Sequence, residues 1–225
     1  MPPTLCPRPG PARAVALRPG TAADMPAVAR LIQELAEFER EPNAPALTVD
    51  DLVRDGFPPP GGGVPPAFRI ILAVVARVGD SLGSDDGSGN DGDDSEGDGD
   101  TGGDGGGGGD GGRVPSRDGV IGMVLWYHTY STWSGRALYV EDLIVTEEWR
   151  GRGIGHRLLR AAATAAVATR CARMDWVVYG WNTRAVEFYT RVGATVRGDL
   201  HLMRVEGRAL HVLGCGAEAG GDGEG

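Results

Sequence analysis

Two acidic residues stand side by side inside an apolar run, Leu138-Tyr139-Val140-Glu141-Asp142-Leu143-Ile144-Val145. The run has the length and side-chain types of a strand. Side chains alternate across a strand, so Glu141 and Asp142 are expected on opposite faces. If both faces are covered, one carboxylate at least lies among apolar groups at a cost of several kcal/mol unless it is paired. That placement points to proton transfer or cation binding; an exposed face or a structural salt bridge is the bland alternative. Directly afterwards comes Arg150-Gly151-Arg152-Gly153-Ile154-Gly155, opening a helix. Glycines let backbone approach a ligand closely, and the N–H groups of a helix start attract phosphate. The turn is not a dinucleotide fingerprint, because His156 follows the third glycine, and it has no P-loop Lys.

The elements that must hold these residues can be read from periodicity. Val15 to Arg18 reads as a strand leading to Thr21, a helix N-cap, with Val28, Leu31, Ile32, Leu35 and Phe38 at helical spacing. Thr48 and Asp51 form a capping-box pattern ahead of a short helix. Phe68 to Ala76, Val120 to Tyr130 and Ala137 to Val145 read as strands. Gly153 to Thr169 reads as an Ala-rich helix, Met174 to Val178 as a strand, and Thr183 to Arg191 as a helix ended by Gly193. A last strand pair is expected between Thr195 and Glu206. The class is mixed α/β in one domain, 14–213.

Composition narrows the function classes. The 225 residues carry a formal charge of −9, all 22 basic residues being Arg. Residues 80–112 hold 15 Gly, 10 Asp and one Glu, so this stretch carries −11 and the other 192 residues +2. It is expected to be a disordered insertion (79–119) at a hairpin turn, because it has almost no apolar content to offset ordering entropy. An EF-hand reading begins at Asp94 but meets Gly105 where the loop needs Glu, so no metal is expected. Residues 1–13 and 214–225 are expected to be disordered ends. The charge balance and the lack of a basic motif argue against nucleic acid. No apolar run nears the ~18 residues of a membrane span, and no signal peptide precedes the first strand. Cys6, Cys171 and Cys215 have neither disulfide nor zinc spacing. A cytoplasmic protein is expected.

The residues also carry a resemblance. Tyr-Val-Glu-Asp-Leu (139–143), Trp-Arg-Gly-Arg-Gly-Ile-Gly (149–155) and Trp-Asn-Thr-Arg-Ala-Val-Glu-Phe-Tyr-Thr-Arg-Val-Gly-Ala (181–194) resemble the GNAT superfamily of N-acetyltransferases. Arg18-Pro-Gly-Thr-Ala-Ala-Asp24, Leu-Ala-Glu-Phe-Glu (35–39) and Asp55-Gly-Phe57 resemble its diamine branch, which includes spermidine/spermine acetyltransferase and plant relatives acting on ornithine, diaminopropane or thialysine. The resemblance implies a central sheet of about six or seven strands with helices on both faces, acetyl-CoA as co-substrate, and a homodimer.

It also implies residue roles. Leu143, Ile144 and Val145 would offer backbone groups to the pantetheine arm. Arg150, Gly151, Arg152, Gly153, Ile154, Gly155 and His156 would cradle the pyrophosphate, with Asn182 and Ala185 near the cofactor. A small amine would attack the thioester directly, Glu141 removing its proton through water and Tyr189 protonating the departing thiolate. Phe38, Glu39, Glu141, Asp175 and Trp176 would line the amine site, where carboxylates suit a second cation. Tyr189 could instead be core packing. Trp126, Tyr127, His128, Tyr130 and Trp133 could line the amine site, or serve core or dimer packing. Two other activities stay open: acetylation of a protein lysine or N-terminus, and a non-catalytic coenzyme-binding scaffold.

Overall fold

The computed structural model describes residues 14–75 and 119–215. The expected domain span divides into two compact units, one ending at Val177 and the other starting at Val178.

The first unit is built on a five-stranded sheet in the order β1 (Val15–Pro19), β2 (Arg69–Val75), β3 (Val120–Ser131), β4 (Gly135–Val145) and β5 (Arg173–Asp175). The first three pairings are antiparallel and the last is parallel. Helices α1 (Met25–Phe38) and α2 (Val49–Gly56) cover one face, where Met25, Val28, Leu31 and Leu52 pack with Leu72, Met123, Leu125 and Ile144. Helix α3 (Ile154–Ala168) covers the other, setting Ile154, Leu158, Ala162 and Ala166 against Val124, Trp126, Leu138 and Val140. Helices on both faces are as expected of the mixed α/β class.

Local chemistry explains the element starts. Arg18 makes two bonds to the Asp24 carboxylate (2.6 and 2.7 Å), which also accepts from the Thr21 N–H at 2.8 Å. The Arg18 guanidinium therefore holds Asp24 well below the usual carboxylate range and ties the end of β1 to the start of α1. At α2 the Thr48 hydroxyl accepts from the Asp51 N–H (3.2 Å) while the Asp51 carboxylate accepts from the Thr48 N–H (3.0 Å), the reciprocal capping that the sequence pattern predicts. Between β2 and β3 the Val75 N–H donates to the Gly119 carbonyl at 2.9 Å. The acidic stretch 80–112 thus interrupts neighbouring antiparallel strands; it lies outside the described residues, as do 1–13, 216–225 and the EF-hand-like Asp94.

Five strands stand among the described residues, fewer than the six or seven expected. Met174–Val178 yields only the short β5. In the second unit, α4 (Thr183–Arg191) ends before Gly193 (φ 94°), but no strand forms between 195 and 206. A helix, α5 (Gly207–Cys215), follows, reaching into what the composition marks as tail.

Candidate active site

Strand β4 does not run evenly. Counted back from the turn, Ser131 faces Gly135, Tyr127 faces Tyr139 and Trp126 faces Val140; the next pair is Leu125 with Asp142. Glu141 is therefore the extra residue of a β-bulge, a device that re-aims side chains. The expectation of opposite faces fails here, because the bulge resets the alternation. Asp142 shares its face with Ile144, which packs under α1. Glu141 accepts a hydrogen bond from the Tyr127 hydroxyl (3.1 Å), and Tyr127 points away from the α3 face that its neighbour Trp126 occupies. Both carboxylates thus lie on the α1 side of the sheet.

Glu39, just past the end of α1, joins them. Burial pushes the Asp142 carboxyl up to about 7, with the charges of Glu141 and Glu39 adding to it. Burial also raises Glu39. The folded protein therefore holds a proton on Asp142 up to near neutrality, whereas the unfolded chain releases it near pH 4. Stability from this group is complete at low pH and is lost as pH rises toward 7. Asp142→Asn is expected to stabilise the protein at pH 8 by on the order of 3 kcal/mol, and much less at pH 5. Urea unfolding at the two pH values checks this; an equal change at both would show that Asp142 is not held protonated.

Beyond Tyr139 the other edge of β4 is open. Its parallel pairing with β5 covers only Ala137, Leu138 and Tyr139, so Leu143, Ile144 and Val145 have β3 on one side and no strand on the other among the described residues. Such an edge leaves backbone donors and acceptors available. The chain then turns through Arg150, whose Nε donates to the Val145 carbonyl (2.9 Å) and whose guanidinium lies 5.2 Å from the Phe38 ring centroid. This contact brings the end of α1 to the glycine turn. Gly151 (φ 78°) and Gly153 (φ 75°) are left-handed, and Gly153 caps α3 without any side-chain bond. The first N–H groups of α3, from Ile154 through His156, have no acceptor within the helix. Ile154 anchors in the core, while His156 and Arg152 are exposed; Arg152 stacks on Trp149 at 4.7 Å. These donors, two guanidiniums and the open strand edge fit the pyrophosphate and amide arm of a coenzyme A thioester.

Other expected site residues have local partners of their own. Asp175 lies opposite Tyr139 and pairs with Arg173 (2.7 Å), which also reaches the Ser131 and Ser134 hydroxyls. Trp176 packs against the core under α3. In the second unit, Asn182 accepts from the Ala185 N–H (3.2 Å) and so caps α4. Tyr189 is half-buried on that helix, its ring 5.2 Å from Phe188.

Two residues of interest escape sequence reasoning. Strict alternation places Asp142 on the face opposite Glu141, so the sequence alone does not bring it to the same site. Tyr127 was only one of five aromatics, yet it bonds Glu141 and stacks on Tyr139 with centroids 5.4 Å apart. Burial, then the Glu141 charge, pushes its phenol up to about 12. Counting pairs back from the Ser131–Gly135 turn would have found it. The remaining aromatics scatter: Trp126 is core, His128 bonds Thr169 (3.0 Å), and Tyr130 and Trp133 are exposed.

Among the described residues no group of His, Cys, Asp or Glu is arranged to hold a metal, and no helix is long and apolar enough to cross a membrane. The acetyltransferase (GNAT) family profile matches residues 109–194. A human spermidine/spermine N(1)-acetyltransferase-like protein is 32% identical over 178 residues, 79% of this chain but 20% of its own length, so the chain spans about a fifth of that relative. A thialysine N-epsilon-acetyltransferase of Bos taurus is 29% identical over 203 residues, 88% of this chain and 96% of its own. An L-ornithine N5-acetyltransferase of Arabidopsis thaliana is 36% identical over 95 residues, 42% of each chain. Among solved structures, an integron cassette protein of V. cholerae shares the fold with a TM-score of 0.56 at 20% identity, covering 88% of this chain and 96% of that one. The profile spans the bulged strand, the glycine turn and the capped helix, and over these residues the chain matches the acetyltransferase (GNAT) family.

Proposed function

We propose that this acetyltransferase moves the acetyl group of acetyl-CoA to a primary amine of a small diamine, polyamine or related amino acid. The observation that carries this reading is the gathering of Glu39, Glu141 and Asp142 on one face of the sheet, next to the turn that Arg150 links to Phe38. A polyamine is a string of cations, and carboxylates with partly apolar surroundings suit its ammonium and methylene groups. Relatives named for spermidine/spermine, thialysine and ornithine acetylation support the same substrate class.

When bound, acetyl-CoA supplies an activated acetyl group as a thioester. The chain's residues then divide the work. Arg150, Arg152 and the N–H groups opening α3 hold the pyrophosphate. The open edge of β4 at Leu143, Ile144 and Val145 aligns the amide arm. Glu141 takes the proton of the incoming ammonium through a water, freeing the nitrogen lone pair to form the new C–N bond. As the C–S bond breaks, Tyr189 gives its phenolic proton to the sulfur and regains one from solvent. Glu39, with Phe38 alongside, holds the distal cation, and Asp142, which keeps its proton up to near neutrality, offers it a carbonyl oxygen. The same reading extends to a cytoplasmic homodimer.

A thiol-release assay tests it with spermidine, diaminopropane, ornithine, thialysine and a histone-tail peptide. Release is expected with small amines and not with the peptide. Coenzyme binding without release from any amine would overturn the reading. Tyr189→Phe is expected to lower the maximal rate by about 10²-fold with acetyl-CoA affinity retained; an unchanged rate would remove Tyr189 from the mechanism.

A further inference from the structure

The bulge sets Glu141 outside the regular ladder, where a carboxylate on an exposed position has rotamer freedom to lose. A proton acceptor works only within hydrogen-bond reach of its target, so something must limit that freedom. Tyr127 is placed to do so. Its hydroxyl donates to Glu141 Oε2 at 3.1 Å, so that bond engages one carboxylate oxygen and not Oε1. The phenol is itself held, because its ring stacks on Tyr139, its direct cross-strand partner, with the planes 29° apart. One regular pair, Trp126 with Val140, separates the stack from the bulge, so the clamp stands on the even part of the ladder and reaches the residue set outside it. The one side-chain hydrogen bond of Tyr127 among the described residues goes to Glu141.

We propose that Tyr127 is a positioning residue for the reaction: it fixes the Glu141 carboxylate by occupying Oε2, while Tyr139 fixes Tyr127. This rests on the reading of Glu141 as the proton acceptor. Tyr127→Phe keeps the stack and removes only the hydroxyl. It is expected to lower kcat about five- to tenfold while KM for amine and for acetyl-CoA stays within twofold.

The decisive measurement is a double-mutant cycle on kcat with Glu141→Gln. If Tyr127 acts through Glu141, Tyr127→Phe has no further effect once Glu141 is replaced. An unchanged kcat in Tyr127→Phe alone would overturn the inference. So would an equal loss in both backgrounds, since a general structural defect lowers both. A Glu141→Gln enzyme as fast as wild type would instead overturn the base reading, and the inference with it. Tyr139→Leu is the second variant: it removes the stack, and kcat is expected to fall about two- to fivefold in the wild-type background only.

Discussion

Glu141→Gln is expected to lower kcat at neutral pH by roughly 10²- to 10³-fold with the affinity for acetyl-CoA intact, the usual contribution of a positioned base. Glutamine keeps the shape and still offers an oxygen to the Tyr127 hydroxyl, so the change isolates proton acceptance. Without the base, the enzyme must wait for amine already deprotonated in solution. A primary amine with an ordinary pKa near 10.4 is free to about one part in 2,500 at pH 7, and that fraction grows about tenfold for each pH unit. The residual rate of the variant should therefore climb steeply between pH 7 and 9.5, narrowing its deficit against wild type. Thiol release across that range is the measurement. Parallel profiles, or a deficit constant with pH, would remove Glu141 as the proton acceptor.

Gly153→Val carries the second large effect. Gly153 sits at φ 75°, and a Cβ there would meet nothing within 4 Å. The difficulty is conformational: a left-handed residue bearing a Cβ costs about 1–2 kcal/mol, and a β-branched one more. The turn would escape by changing its dihedrals, and the N–H groups opening α3 would lose their common direction. Affinity for acetyl-CoA is expected to fall at least about 30-fold, of which the strain alone accounts for roughly tenfold. Gly155→Ala is the control. Gly155 has no positive φ, and its added methyl would stand 3.9 Å from Val145 Cγ2, an ordinary contact. The fold should accept it, so a loss of affinity there would report space above the helix start. Calorimetric titration of both variants decides; wild-type affinity in Gly153→Val would show that this turn does not cradle the coenzyme.

Much of the scaffold was legible in the sequence where one local rule governs one element. The Thr48–Asp51 box caps α2 as its spacing predicts, and the spacing of Val28, Leu31 and Ile32 sets the buried face of α1. The glycine turn was legible because left-handed dihedrals call for glycine at 151 and 153. What stayed hidden was long-range. Nothing in Leu138–Val145 marks a bulge, since Glu141 is as compatible with a regular ladder as with a break in one. Its position is set by how β4 pairs with β3, not by its own composition. Strict alternation therefore separated two carboxylates that share a face. Residues 195–206 show the converse: Val196, Leu202 and Met203 have strand-like character, yet they are exposed and no ladder forms. The sequence likewise does not show that Asp175, which the resemblance assigns to the amine site, pairs with Arg173 two residues earlier at 2.7 Å.

The unpaired residue of β4 has one more consequence. Deleting Glu141 outright, rather than replacing it, would let Val140 and Asp142 follow one another opposite Trp126 and Leu125 in an unbroken register. The hairpin would become more regular, and by ordinary sheet energetics no less stable. Selection for robustness alone would therefore tend to erase this position, since marginal gains in stability are easily reached by removing irregularities. A sheet that keeps such a defect trades uniformity for reactivity at a single residue, so a homologue with a shortened, seamless strand here would be a sturdier protein without the proposed base.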